Sequence, residues 1–443
     1  MEPTRRQILA SAAAAPIAWP LLESWHSPAA GSGALEAAAA RAAGASAASL
    51  ASDEDFWFSV QNTFSIDRSL LNFNNGGTCP APTVVMEALK RHLDFSNHSP
   101  TKQMWGVLGP QIETVRERLA RDLGVSPEEI ALTRNASESL EICEFGLDLK
   151  PGDEVVTTTH DYPSMVNTWK QREMRDGIVV KQVRFEPPST DDALFELVTK
   201  AVGPKTKVIH VSHITNLTGQ IFPIRRICDF GRGRGIEVIV DGAHAYGQFP
   251  FKLPDLNCDY YGVSLHKWIL APIGTGLLYV RKEKIPKIWP LFGNVEPHSG
   301  DIKKFESYGT HPYAPKLAVS EALVHHQTIG AERKAARLRF LRERWSKRLR
   351  GNPRAVLYTS DDPALSAAIG TVGFRGSDGK FLEPNRVVES LFARHRIIVT
   401  PIVVDDVRGI RITPNVYTTL EEVDLLGDAL VELAEKGIPN ETR

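Results

Sequence analysis

Cysteine is scarce in this chain: four in 443 residues, at spacings that suit neither a disulfide framework nor a zinc knuckle. A His-Glu-x-x-His metal motif is missing as well, and no metal is expected. Charge of one sign is not in excess. The 52 Lys and Arg against 53 Asp and Glu leave a formal net charge of −1, which gives no electrostatic footprint for nucleic acid or a membrane surface. There is no internal repeat. The dinucleotide fingerprint is also lacking, because Gly231-Arg232-Gly233-Arg234-Gly235 precedes a strand pattern instead of following one and opening a helix. A nicotinamide dehydrogenase is set aside on that ground. His325 and His326 are adjacent on a helical pattern, where neighbours do not share a face, so they read as surface residues and not as ligands. The basic stretch Glu332 to Arg350 carries Leu338, Leu341, Trp345 and Leu349 at helical spacing. It reads as an amphipathic helix with a solvated basic face.

The chain opens Thr4-Arg5-Arg6-Gln7-Ile8-Leu9, followed by a mostly apolar run from Ala10 to Leu22. A basic start before a short apolar stretch is the pattern of an export signal. The paired arginines resemble a twin-arginine signal, which implies the twin-arginine export machinery as a partner and an exported, periplasmic destination. Residues 1–30 are assigned to the signal. Residues 31–51, rich in Ala, Gly and Ser, read as a flexible leader. Once the signal is removed, no membrane association is expected.

The rest of the chain is long enough for two domains. Strand patterns at Ile130 to Thr133, Glu154 to Thr158, Lys207 to His213, Glu237 to Val240, Tyr260 to Ser264 and Gly276 to Val280 alternate with helical ones. That rhythm predicts an α/β fold with a mostly parallel sheet and helices on both faces. Residues 52–315 form the expected large domain, with its first residues free to pack on the other one. Residues 316–443 form a smaller C-terminal α+β domain.

Two strand ends carry the chemistry. Glu237 to Val240 ends in Asp241-Gly242-Ala243-His244. Tyr260 to Ser264 runs into Leu265-His266-Lys267-Trp268. In open α/β sheets, ligands bind at the carboxyl ends of strands. A lysine amine there can form a Schiff base with pyridoxal 5'-phosphate (PLP). A buried carboxylate keeps the pyridine nitrogen protonated, so the ring can accept electrons. His244 is placed to hydrogen-bond the ring hydroxyl. Ala136-Ser137 open a helix after a strand, where free N–H groups and the helix dipole favour a phosphate.

On these residues the chain resembles the class V aminotransferase family of fold-type I PLP enzymes, whose pattern pairs D-G-A-[Q/H] with S-x-H-K. The resemblance runs over roughly residues 70–425. It implies the fold-type I PLP-dependent transferase architecture, with a mostly parallel seven-stranded sheet in the PLP-binding large domain. It further implies that Asn75, in Asn74-Asn75-Gly76-Gly77, and Arg411 bind the substrate. Tyr162, in Asp161-Tyr162-Pro163-Ser164, lies on the cofactor face, and Asn216 helps orient the substrate carboxylate. Ala136, Ser137, Ser264, His266 and Thr310 hold phosphate, Thr310 reaching across to the neighbouring subunit of a homodimer. Lys267, Asp241 and His244 are the expected catalytic residues.

Cysteine desulfurases of the family use a nucleophilic cysteine on a late loop. Here Cys79, Cys143, Cys228 and Cys258 all precede Lys267. The D-Y-P motif, the DGAH variant and the missing late cysteine resemble the isopenicillin-N epimerase-like branch. The expected activity is therefore Cα-proton abstraction from an α-amino acid or amino-acid-derived small molecule. Transamination and C–S lysis are the alternatives. A non-catalytic exported binding protein on the same fold is a further one.

Overall fold

The structure, a computed structural model, describes residues 32–404 and 406–438. Seven strands build the main sheet: β1 (Ile130–Thr133), β2 (Glu154–Thr158), β3 (Val179–Val183), β4 (Thr206–Ser212), β5 (Glu237–Asp241), β6 (Tyr260–Ser264) and β7 (Gly276–Val280). Their spatial order is β1-β7-β6-β5-β4-β2-β3, and β7 alone runs against its neighbours. The remaining pairs along β6-β5-β4-β2-β3 are parallel. The sequence pattern missed β3, whose Lys181 and Gln182 and partial exposure hide it from a search for buried runs.

Period-two alternation divides the core. In β5, Val238 and Val240 join the cluster on one face, while Ile239 joins the cluster on the other. Asp241 follows the side of Ile239. Helices α1 (Ala136–Gly146) and α2 (Pro163–Asp176) pack on that same side through Leu140, Cys143, Met165 and Trp169. The alternation thus points the strand-end carboxylate toward the two helices whose first turns face the sheet's carboxyl edge.

The smaller domain carries a four-stranded antiparallel sheet of β8 (Ala355–Leu357), β9 (Gly370–Phe374), β10 (Thr400–Val404) and β11 (Val407–Ile412), in the order β10-β11-β9-β8. The long helices Ala331–Ser346 and Leu420–Lys436 pack on it. Leu71–Asn72 pairs in parallel with Ile397–Ile398, and Asn74 bridges Thr413. The start of the expected large domain is therefore held by the small one.

The structure corrects three expectations. Residues 31–51 are not a flexible leader as far as they are described: helices form over Ser32–Arg41 and Ala47–Leu50. Leu35, Ala38 and Leu50 are buried beside Trp57, Ile329 and Leu338. Alanine is the strongest helix former, and the two leucines give these short helices an apolar side to bury. The assigned signal, residues 1–30, lies outside the described residues, as does residue 31.

His325 and His326 are not surface residues; both are buried. They do point different ways, but packed elements lie on both sides. His325 Nε2 lies 2.9 Å from Thr63 Oγ1, and the His326 ring sits edge-on to Tyr246.

The basic face of Ala331–Ser346 is only partly solvated, because the N-terminal segment covers some of it. Lys334, Arg337 and Arg342 are all buried. Arg337 donates to the Ala51 carbonyl and pairs with Glu54. Lys334 donates to the Trp268 carbonyl. Burial pushes the Lys334 amine down to about 7, with Cys79 opposing the shift only in part.

A pH dependence follows from Lys334. Its folded-state pKa lies below that of an unfolded lysine, so between pH 7 and about 10 the unfolded chain binds more protons. Stability from this group therefore rises with pH across that window. Lys334→Met removes the slope. Urea unfolding at pH 7 and pH 9 should show wild type gaining on the variant by about 2–3 kcal/mol. Parallel curves for the two proteins would contradict a depressed Lys334.

Candidate active site

The carboxyl ends of β2, β4, β5 and β6, the first turn of α1, and β10 and β11 enclose a cavity of ≈ 400 Å³. Gly76, Gly77, Ala136, Ser137, Tyr162, Ser212, Asn216, Asp241, His244, Ser264, His266, Lys267, Thr400 and Arg411 are among its lining residues. Ten of the twelve site residues expected from the sequence therefore converge on one pocket, drawn from segments up to 275 positions apart (136 to 411).

Lys267 ends the short turn after β6, and its Nζ lies 3.1 Å from His244 Nε2. Burial lowers the amine to about 8. Asp241 pulls it up, and the Arg411 charge pushes it down. A lysine near 8 keeps a useful share of free amine at neutral pH, as an attacking nitrogen requires. Asp241 Oδ1 accepts the Ala243 N–H at 2.9 Å. Burial raises its pKa, while that N–H, Lys267 and His210 oppose the rise. A buried carboxylate in this state favours a cationic partner within the pocket.

The first turn of α1 borders the cavity, with some of its N–H groups already partnered. Asn135 caps it by accepting the Glu138 N–H at 2.8 Å. Ser264 Oγ accepts the Ala136 N–H at 2.9 Å. Gly276 lies so close that a Cβ there would sit 2.7 Å from the Asn135 backbone. Only glycine lets β7 support the helix start at that distance. His266 Nδ1 lies 3.1 Å from the Thr275 carbonyl, which makes Nδ1 the donor and leaves Nε2 free.

Arg411, on β11, is buried. One Nη donates to the Asn216 carbonyl at 3.0 Å and the other to Asn74 Oδ1 at 3.1 Å. Its Nε has no partner, nor does Asn216 Oδ1, and among the described residues Arg411 makes no ion pair. Burial pushes the guanidinium down to about 10, with Tyr162 opposing the shift. A Cβ on Gly76 would lie 3.2 Å from Arg411 Cζ, so the Gly76-Gly77 turn leaves room for the fork. A buried cation lacking a counter-charge, at the wall of a cavity, can accommodate a carboxylate.

Two expected residues lie elsewhere. Asn75 does not line the pocket. Its amide nitrogen donates to the Asn72 and Thr413 carbonyls, and its oxygen accepts from Tyr417. It clips the N-terminal turn to the small domain, and the neighbouring Asn74 reaches Arg411 instead. Thr310, expected to serve a neighbouring subunit's site, is exposed and outside this chain's own pocket. Tyr162 lines the cavity but is 41% exposed.

No role was expected for Asp161, Ser212 or Thr400, which also border or support the cavity. Asp161 accepts four hydrogen bonds, from Thr157, Thr158 and both donors of Ser212, and so ties the ends of β2 and β4 beneath Tyr162. A carboxylate directly before Tyr162-Pro163 was the available signal. Ser212 and Thr400 had none, because neighbouring strands bring them in.

These residues fit PLP. The α1 start with Ser137, Ser264 and His266 suits its phosphate, Asp241 its ring nitrogen, His244 its ring oxygen and Lys267 its aldehyde. Arg411 remains for a substrate carboxylate.

Comparison with known proteins agrees. A family model described as aminotransferase class-V matches residues 71–426. An isopenicillin N epimerase of Streptomyces clavuligerus is 30% identical over 404 residues, spanning 84% of this chain and 97% of that protein. A probable cysteine desulfurase of Synechocystis is 29% identical over 280 residues, spanning 59% and 66%. Among solved structures, a C-DES mutant with glycine covalently linked to its PLP cofactor superposes with a TM-score of 0.72 at 24% identity, covering 83% of this chain and all of that one. With the pocket and these matches in agreement, the chain belongs to the class V aminotransferase family, and it is a PLP-dependent enzyme of the fold-type I architecture.

Proposed function

We propose that the enzyme inverts the α-carbon of an amino acid or amino-acid-derived substrate, as an epimerase. The observation that carries this reading is the pairing of Lys267 with a counter-charge-free Arg411 in a pocket that no cysteine lines. Bound PLP supplies an electron sink that acidifies the substrate Cα–H. Arg411 grips the substrate carboxylate with its planar fork, and Asn216 is beside it to assist. That grip would orient the substrate Cα relative to bound PLP. With PLP bound, the Lys267 amine would serve as general base for the Cα proton, and inversion would require a proton returned to the opposite face of Cα. Asp241 holds a proton on the ring nitrogen, and His244 orients the ring oxygen. Similarity to isopenicillin N epimerases over nearly their whole length supports inversion over the alternatives.

Desulfuration is disfavoured by the thiols themselves. Cys79, near the pocket, is buried between the Asn75 carbonyl and the Asn415 amide. Burial pushes its pKa up to about 12, which leaves almost no thiolate at neutral pH. The other three cysteines are buried too.

The test is a panel of L-amino acids and amino-acid-derived amines incubated in deuterated water with the PLP-loaded full chain. Inversion with deuterium entering at Cα is the expected result. Keto-acid-dependent amine transfer, or release of pyruvate or sulfide without inversion, would replace the epimerase assignment with a transaminase or lyase. The twin-arginine signal, periplasmic destination and homodimer belong to the same proposal, and they rest on the N-terminal sequence and the family pattern.

A further inference from the structure

Trp268 is fully buried, directly after the cofactor lysine, and nothing above gives it a task. Its indole N–H donates to His244 Nδ1 at 3.3 Å. An indole nitrogen is a donor only, so Nδ1 must be the bare nitrogen of the imidazole. Burial, with the charges of Lys267 and Arg411 adding to it, pushes the His244 pKa well below its usual value. The ring is therefore neutral and holds a single proton. With Nδ1 accepting, that proton sits on Nε2. Nε2 is the nitrogen 3.1 Å from Lys267 Nζ, and His244 lines the cavity. The pocket is thus offered a donor.

Backbone contacts fix both partners of this bond. Buried Lys334 donates Nζ to the Trp268 carbonyl. Gly247, at φ 90°, approaches the same peptide so closely that a Cβ would lie 2.8 Å from its carbon and oxygen. Gln248 Nε2 donates to the carbonyl of His244 itself. Indole and imidazole are therefore not free to turn away from each other.

We propose that Trp268 is a positioning residue that locks the tautomer of His244, so that Nε2–H is always the atom offered to the ring oxygen of the cofactor. This rests on the assignment of the pocket to PLP. An ionised ring hydroxyl can only accept. The other tautomer would aim a lone pair at it, turning an attraction into a repulsion. Lys334 serves the same end one step further out, by pinning the Trp268 peptide.

The lock can be read with and without cofactor. Nitrogen-15 NMR of histidine-labelled full chain at pH 9.5, where Lys267 is the free amine and can accept from Nε2–H, with the His244 signals identified by their absence in His244→Gln, should show Nδ1 bare and Nε2 protonated in the PLP-free wild type. In Trp268→Phe both nitrogens should move to intermediate shifts, as two tautomers mix. In the PLP-loaded protein, the pH midpoint of the cofactor's visible absorption change should rise by about one unit in Trp268→Phe, the size expected for weakening a hydrogen bond to a charged group. In a His244→Gln background the same substitution should leave the midpoint where it is, because an amide N–H needs no tautomer partner.

A bare Nε2 in the wild type overturns the inference, and that measurement needs no Trp268 variant to fold. An equal midpoint shift in both backgrounds overturns it too, since it would mark a packing effect. A wild-type chain that takes up no PLP defeats the cofactor reading together with this one. A normal cofactor band with a midpoint indifferent to Trp268 defeats only this one.

Discussion

Lys267→Ala loses the visible cofactor band and at least about four orders of magnitude of turnover, while the melting temperature holds. The size follows from removing two tasks at once: the amine that anchors the cofactor and the base that takes the Cα proton, the latter alone worth about 10²–10⁴. Stability should hold because the amine is a burden in the folded chain. Burial lowers it to about 8, so its loss relieves a desolvation cost. The check is an absorption spectrum, a thermal melt and single-turnover exchange of the Cα proton on the same preparation. Turnover near the wild-type rate would refute the assignment, and loss of the fold would mean that the lysine holds the β6 turn.

Arg411→Ala raises KM for carboxylated substrates by about 30-fold to several thousand-fold, the equivalent of roughly 2–5 kcal/mol for losing one partner of a buried charge pair. Amines of similar shape without the carboxylate should be affected far less. The prediction follows from the missing counter-ion. Arg411 donates to a carbonyl and to two side-chain oxygens but meets no carboxylate among the described residues, and its Nε is unpartnered. Comparing kcat/KM for matched acid and amine pairs decides it. Equal losses for both would make Arg411 a strut between β11 and the Asn74 turn.

Much of this site was legible because each key side chain follows a local signal. Asp241 closes a buried strand, Lys267 ends the turn after another, and Ala136-Ser137 open a helix. The side-chain period of two then decides which face they meet. What local pattern does not encode is which distant segment arrives beside them. Thr400 and Ser212 enter the pocket only because β10 and β4 are placed there by sheet pairing. Asn75, expected at the substrate, is instead spent on the Thr413 carbonyl, while the amide of its neighbour Asn74 meets Arg411.

The buried basic row on Ala331–Ser346 was misread for a related reason. Helical periodicity marks the apolar stripe, but it does not reveal that another segment covers the polar side. Here the covering residues are Ala51 and Glu54, at the end of and just after the stretch whose composition suggested a flexible leader. Lys334 shows the consequence. A lysine that reads as solvent-facing is buried under the cofactor turn and holds the carbonyl of Trp268.

The covalent link between PLP and Lys267 can be read directly. PLP is added to the purified full chain, the mixture is reduced with borohydride and digested, and the peptides are weighed. One phosphopyridoxyl group on the peptide containing Lys267, and none on the peptide containing the similarly depressed Lys334, is the predicted result. A label on another lysine, or no label at all, would contradict it.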